Sequence, residues 1–234
     1  MTASKPPPQT RQPIGEPVGD PSPAPRPAAV TLVGRYGRVK RLAPARHGSD
    51  LWNAFQGHDE IWAYMSAYGP FANAVAFQQW LASREQLVDP YYYTIVDTSG
   101  RALGLSTLME IRPEHRSIEV GHIVYSPVLQ RTPLATETQY LLAAYVFDTL
   151  GYRRYEWKCN ALNSASRRAA LRFGFRFEGI LRQHMIAKGR NRDTAYFSML
   201  DSEWPARKAA FERWLAQKNF DKQGQQKTRL NAGA

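Results

Sequence analysis

Between Leu103 and Leu150 the hydrophobic pattern changes period, and that change limits the folds open to the chain. Leu103, Leu105, Thr107, Met109 and Ile111 alternate with Gly104, Ser106, Leu108 and Glu110, the period of a strand with two unlike faces. A polar turn at Pro113–Arg116 leads into Ser117–Tyr125, and the two strands are expected to form an antiparallel hairpin. Thr132-Pro133 then reads as an N-cap followed by a first-turn proline. The helix they open runs to about Leu150, with Leu134, Leu141, Leu142, Tyr145 and Val146 inward and Gly151 ending it.

The flanking segments fit around this centre. Val39–Leu42 reads as a first strand, and His47–Phe55 and Asp59–Ala67 as short helices capped by Ser49 and Asp59. Asn73 caps a longer helix to about Leu87, with Ala74, Phe77, Trp80 and Leu81 on one stripe. Tyr91–Val96 is rich in β-formers and precedes a turn at Asp97–Gly100. Tyr152–Cys159 is a strand with Tyr155, Trp157 and Cys159 on one face. A second helix runs from about Asn163 to Phe173 and stops at Gly174. Phe175–Gly179 and about Asp193–Met199 are the last strands, and Trp204–Lys218 is a closing helix. A strand meander, then β-α-β-α-β, then a hairpin predicts an α+β fold with one central change of topology.

Residues 1–29 hold nine prolines and almost nothing large and apolar, so an extended, solvated tail is expected there. It lacks the apolar run of a signal peptide. Residues 30–203 read as one domain, 204–218 as its C-terminal helix and 219–234 as a fraying end. A single cysteine, Cys159, excludes an intramolecular disulfide framework and a cysteine zinc cage. The five histidines show no metal-ligand spacing, so no metal is expected. Without a membrane-length apolar run, the expectation is a soluble, cytoplasmic protein. Lys and Arg outnumber Asp and Glu by 31 to 20, and Arg153–Arg192 carries eleven basic residues against Glu156 and Glu178. An anionic partner is expected on or near that segment.

Two segments can carry chemistry. In Ser117–Glu137 an apolar strand holds one acid, Glu119, and its loop turns directly into a helix start. The unpaired N–H groups and positive dipole end of that helix, with Arg131 in the loop, make a cradle for an anion such as phosphate. In Asn160–Phe175 a second strand feeds a helix opened by Asn163, Ser164 and Ser166. By alternation Glu119 shares a face with Ser117, Gly121, Ile123 and Tyr125, opposite Ile118, Val120 and Val124, and His122 falls in with Val120 and Val124 as a core histidine.

These two segments, in this order and about 30 residues apart, resemble the GNAT superfamily of acetyl-CoA-dependent N-acyltransferases. They look closest to its ribosomal-protein serine and alanine N-acetyltransferase branch. The resemblance covers about Val33 to Glu203. The family's pyrophosphate loop, Q/R-x-x-G-x-G/A, is matched by Gln130-Arg131-Thr132-Pro133-Leu134-Ala135, followed by Thr136. Its second signature is matched by Asn163, Ser166, Ala169, Gly174 and Phe175. Pro133 replaces the loop glycine and has no N–H, which leaves the amides of Arg131, Thr132, Leu134, Ala135 and Thr136. Ala170 stands where many members place a tyrosine general acid.

The resemblance implies a mostly antiparallel sheet of about seven strands, splayed between its fourth and fifth strands near Ile123 and flanked by helices. It implies acetyl-CoA as cosubstrate, strand amides around Ile123 and Val124 facing pantetheine and the oxyanion, and Asn163 and Ser166 at the cofactor. Glu119 is the expected base, directly or through a water. Ser166 or a water then protonates the thiolate. Two plainer roles stay open, a structural acid paired with an arginine for Glu119 and helix capping for Ser166. The implied acceptor is a primary amine, a ribosomal-protein N-terminus in the favoured case. A small amine, such as an amino acid, polyamine or antibiotic, is the alternative. A non-catalytic RNA- or ribosome-binding role is disfavoured, since no nucleic-acid-binding motif is present. Monomer and homodimer are both open.

Overall fold

The computed structural model describes residues 12–230. Eight strands form one sheet in the order β1-β2-β3-β4-β5-β6-β8-β7. They are β1 (Thr31–Val33), β2 (Gly37–Arg41), β3 (Tyr91–Asp97), β4 (Ala102–Arg112), β5 (Ser117–Tyr125), β6 (Arg154–Asn160), β7 (Arg176–Ala187) and β8 (Arg190–Leu200). The helices are α1 (Pro44–Phe55), α2 (Ala74–Ala82), α3 (Pro133–Ala144), α4 (Ser164–Arg172) and α5 (Trp204–Leu215). The short strand β1 raises the count from about seven to eight. Neighbours are antiparallel except β5 and β6. A parallel pair needs a crossover, and α3 supplies it.

The sheet is covered on both sides. On one face Leu51, Phe77 and Leu81 of α1 and α2 pack against Tyr92, Leu105 and Val124. On the other, Leu142, Ala170, Phe211 and Trp214 of α3, α4 and α5 pack against Ile118, Val120, Tyr155 and Trp157. Helix α5 is therefore part of the main core. The start of α3 is held in place from within the fold. Glu137 is buried and accepts the N–H groups of Arg35, at 2.6 Å, and Tyr36, at 2.8 Å, from the β1–β2 turn. Gly34 sits so close that a Cβ there would lie 2.2 Å from the Glu137 carboxyl carbon.

The local chemistry of the helix ends follows the sequence in three places. Asn73, Thr132 and Asn163 each accept a backbone N–H from the first turn of the helix they precede. Gly151 and Gly174 take positive φ just past helical segments. Three expectations are corrected. Ser49 lies inside α1, which opens at Pro44 after Ala43 with no side-chain cap. Asp59 lies within a single turn, Asp59–Trp62, and caps nothing. Helix α2 ends at Ala82, well short of Leu87.

The last hairpin is much longer than its apolar residues suggest, because β7 is an edge strand and largely exposed. An edge strand exposed on both faces needs no apolar alternation.

The segment before β1 is extended, as its prolines dictate, but it is docked. Ala24 N–H donates to the Pro113 carbonyl at 3.1 Å, Ala28 N–H to the Tyr145 hydroxyl at 3.0 Å, and Arg116 pairs with Asp20 at 2.6 Å. Ala24 and Pro27 are buried. A chain with no internal hydrogen bonds has free N–H groups to offer a neighbouring surface. Pro6, Pro7 and Pro8 lie outside the described residues. Past α5 the chain also folds back. Trp214 Nε1 donates to Gln226 Oε1 at 2.8 Å, and Leu230 is buried.

Candidate active site

Strands β5 and β6 pair only from Ser117↔Arg154 to Val120↔Trp157. Beyond that point β6 stays with β8 as far as Asn160↔Thr194, while β5 runs on beside β4 to Tyr125. A gap opens between them. At its edge β5 carries a bulge: the register with β4 passes from Thr107↔Gly121 to Leu105↔Val124, and His122 takes φ +45°. His122 and Ile123 have no partner in β4's register.

The bulge overturns the simple alternation. One extra residue reverses the faces that follow it. Ile123 packs toward the α3–α5 cluster, and Val124 joins the α1–α2 cluster. His122 bonds Tyr92, its Nδ1 lying 2.8 Å from the hydroxyl. It therefore shares Glu119's side of the sheet, opposite Ile118 and Val120.

Glu119 is 5% exposed, between Met109 of β4 and Glu156 of β6. Its counter-charge is Lys158, not an arginine. Lys158 Nζ lies 3.0 Å from Glu119 Oε2, 3.1 Å from Glu156 Oε2 and 4.9 Å from the centre of the Tyr196 ring. The contact to Glu119 is a buried ion pair. Burial pushes the Glu119 carboxyl up to about 7, against the pull of Lys158. Burial also raises Glu156, but the Arg154 hydrogen bond at 2.7 Å and Lys158 outweigh it and hold that carboxyl below its usual value. Of two adjacent acids, Glu119 is the one placed to exchange protons near neutrality. His122 is pushed down to about 4 by burial and then by Arg84 and Arg192, so it is neutral there.

The turn into α3 forms an anion cradle narrower than the sequence implies. Arg131 has φ +62°, and neither its N–H nor that of Leu134 has an acceptor among the described residues. The other loop amides are engaged: Ala135 N–H bonds Thr132 Oγ1 at 3.1 Å, Thr136 N–H bonds the Thr132 carbonyl at 3.4 Å, and Thr132 N–H bonds the Leu129 carbonyl at 3.4 Å. The Gln130 side chain is occupied with the Tyr125 carbonyl at 2.9 Å. Arg172 of α4 donates to Thr136 Oγ1 at 3.1 Å and brings a second guanidinium to this helix start. Sequence spacing gave no sign of it, because it arrives across space.

Asn163 is the cap of α4, so Ser166 is not. Ser166 Oγ instead accepts Trp157 Nε1 at 3.0 Å over β6, and its hydroxyl also lies against the Cys159 thiol. Ala170 is fully buried and supplies no acid. His184 lies 3.0 Å from Thr194 Oγ1, and Cys159 is buried as a core residue. On Glu119's side an aromatic wall of Trp62, Tyr68, Phe71, Trp80 and Tyr92 stands beside His122. The loop that carries Trp62 is tied at three points, Lys188 Nζ to the Trp62 carbonyl at 3.0 Å and the Gly69 carbonyl at 2.6 Å, and the Tyr64 hydroxyl to the Leu162 carbonyl at 3.2 Å.

Residues 41–176, more than half of the chain, match the family model of the acetyltransferase (GNAT) domain. The chain belongs to the GNAT acetyltransferase family. This GNAT acetyltransferase is 48% identical to a GCN5-related N-acetyltransferase from Brucella melitensis, over 89% of this chain and 96% of that one, with a TM-score of 0.87. It is 34% identical over 87 residues to the uncharacterized N-acetyltransferase YoaA of Bacillus subtilis (strain 168); that match covers 37% of this chain and 49% of YoaA. A ribosomal-protein-S5-alanine acetyltransferase from Vibrio fischeri is similar in fold, with a TM-score of 0.61 over 75% of this chain and 98% of that one, at 16% identity. The family makes the chain an acyltransferase, and its mixed sheet with flanking helices is the family's fold.

Proposed function

We propose that this acyltransferase moves an acetyl group from acetyl-CoA to a primary amine, with Glu119 as the base. The observation that carries the reading is the gap between β5 and β6 past Val120, which leads to the open amides of Arg131 and Leu134. The residues fit the cosubstrate: Arg131 and Arg172 at the start of α3 suit its phosphates, and the unpaired strand edge suits its amide-bearing arm. Acetyl-CoA brings the thioester and the thiolate leaving group.

Glu119 takes the proton as the amine nitrogen bonds to the acyl carbon. The Ile123 N–H, turned by the bulge, stabilises charge on the acyl oxygen. As the C–S bond breaks, Ser166 or a water protonates the sulfur. The acceptor we favour is a protein N-terminus, such as that of a ribosomal protein, on the strength of the two motifs. A small amine is the second reading, and the tied loop beside Trp62 favours it by narrowing the approach to Glu119.

Calorimetric titration with acetyl-CoA, followed by thiol release with peptide and small-amine acceptors, tests both parts. Binding with release is expected; no heat at millimolar ligand would remove the cosubstrate. Glu119→Gln should lower kcat about 10²–10⁴-fold with acetyl-CoA affinity retained. Unchanged turnover would show that Glu119 is not the base.

A further inference from the structure

Two arginines on the Glu119 side of the sheet have no acid partner. Among the described residues no carboxylate lies within ion-pair distance of Arg84 or Arg192, although every acid near Glu119 is paired. Both are partly buried, and in both Nε is buried with no hydrogen-bond partner. A buried guanidinium Nε–H without an acceptor is costly, and an anion would satisfy it.

Their placement says which anion. Arg84 follows α2 and lies over Trp80, 5.8 Å from the ring centre. Trp80 packs on Tyr68 at 4.6 Å and on Tyr92 at 6.4 Å, and both of these rings border His122. Trp80 Nε1 is a third buried donor without a partner. Arg192 stands on β8 in alternation with Thr194 and Tyr196, on the face that carries Lys158, just past the end of β6 at Asn160↔Thr194. Arg84 thus stands by the rings that border His122, Arg192 lies on the Lys158 face of β8, and the charge of each lowers the His122 imidazole. This is the acceptor's side, across the sheet from α3 and its phosphate cradle. A bare amine would be repelled here; an amine with a negative group would be held by it.

We propose that Arg84 and Arg192 bind a carboxylate carried by the acceptor near its amine, so that the enzyme selects amines bearing an acidic group. The inference deepens the proposed acetyl transfer and rests on it. One chemistry has two sources, the α-carboxylate of a free amino acid or an acidic side chain beside a peptide N-terminus.

The test pairs ligands that differ only in charge. Thermal unfolding of the full chain is followed with N-acetylserine against N-acetylserinamide, and with N-acetyl-Ser-Asp-amide against N-acetyl-Ser-Asn-amide. The carboxylate member of at least one pair should raise the Tm while its neutral partner does not, and the pair that responds names the source. Arg84→Gln and Arg192→Gln should each abolish the difference, and Arg84→Lys should keep part of it. The matching acceptors, serine against serinamide and the corresponding peptides, should differ at least tenfold in kcat/KM, falling to near parity in the Gln variants with acetyl-CoA affinity unchanged. Equal or absent Tm shifts within both pairs, or a preference that survives both substitutions, would overturn the proposal. Loss of acetyl-CoA binding in the unaltered chain would instead strike at the transfer reaction, since the Tm comparison is made without it.

Discussion

Glu119 stood out in the sequence as one acid in an apolar strand, but its setting did not. Lys158 and Glu156 sit on β6, about 40 positions away, and only the parallel pairing of β5 with β6 brings them alongside. Buried beside Lys158, Glu119 titrates near 7, so kcat/KM should rise with pH through about 7. Lys158→Met removes the charge that holds the carboxyl down, and the acid limb of the pH profile should move upward by about one pH unit or more. A limb that stays in place would assign it to another group. His122, already neutral at these pH values, is not that group. The stability sign follows from the same shift. The folded-state carboxyl is raised above its usual value, so its contribution is full below that value and is lost as pH rises through about 7. Glu119→Gln should flatten that loss in unfolding experiments run from pH 5 to 9.

At the scale of elements, helix starts were the most legible features, because a cap and a first-turn proline are local. Thr132 accepts the Ala135 N–H as its position requires. Thr132→Ala should cost about 1 kcal/mol, measured by denaturant unfolding. A change below a few tenths would mean that the Glu137 anchor alone fixes the start of α3. The faces of β5 were misread for a reason that also bears on catalysis. Alternation assumes one residue per step, and a bulge adds a residue that no hydrophobic pattern marks. His122 and Ile123 occupy that extra step, which leaves both out of register with β4 and puts the His122 imidazole against Tyr92 on Glu119's side. The β7–β8 hairpin was half legible, since its exposed outer strand leaves no apolar period to follow.

For the whole molecule, the order of periods was enough for an α+β sheet with a central change of topology, because each element's period follows from the face it buries; the second crossover, from β6 through α4 to β7, was not legible. What order could not supply was contact between distant segments. The proline-rich lead-in illustrates this: its extension was legible, its docking was not. Residues 20–28 contribute three hydrogen bonds through backbone groups, Ala24 N–H, Ala28 N–H and the Ser22 carbonyl, and an ion pair from Asp20 to Arg116. Removing residues 1–29 should lower stability by about 1–3 kcal/mol by denaturant unfolding, mostly from those hydrogen bonds, since the exposed pair adds little. An unchanged midpoint would make the lead-in a passenger.

The central claim is that the opening between β5 and β6 and the turn into α3 together seat acetyl-CoA. Residue-resolved amide hydrogen exchange, with and without saturating acetyl-CoA, reads it directly. Exchange should slow at Ile123–Tyr125 and at Arg131 and Leu134 together, while β1–β2 is unaffected. Unaltered exchange at both places under saturation would contradict the account.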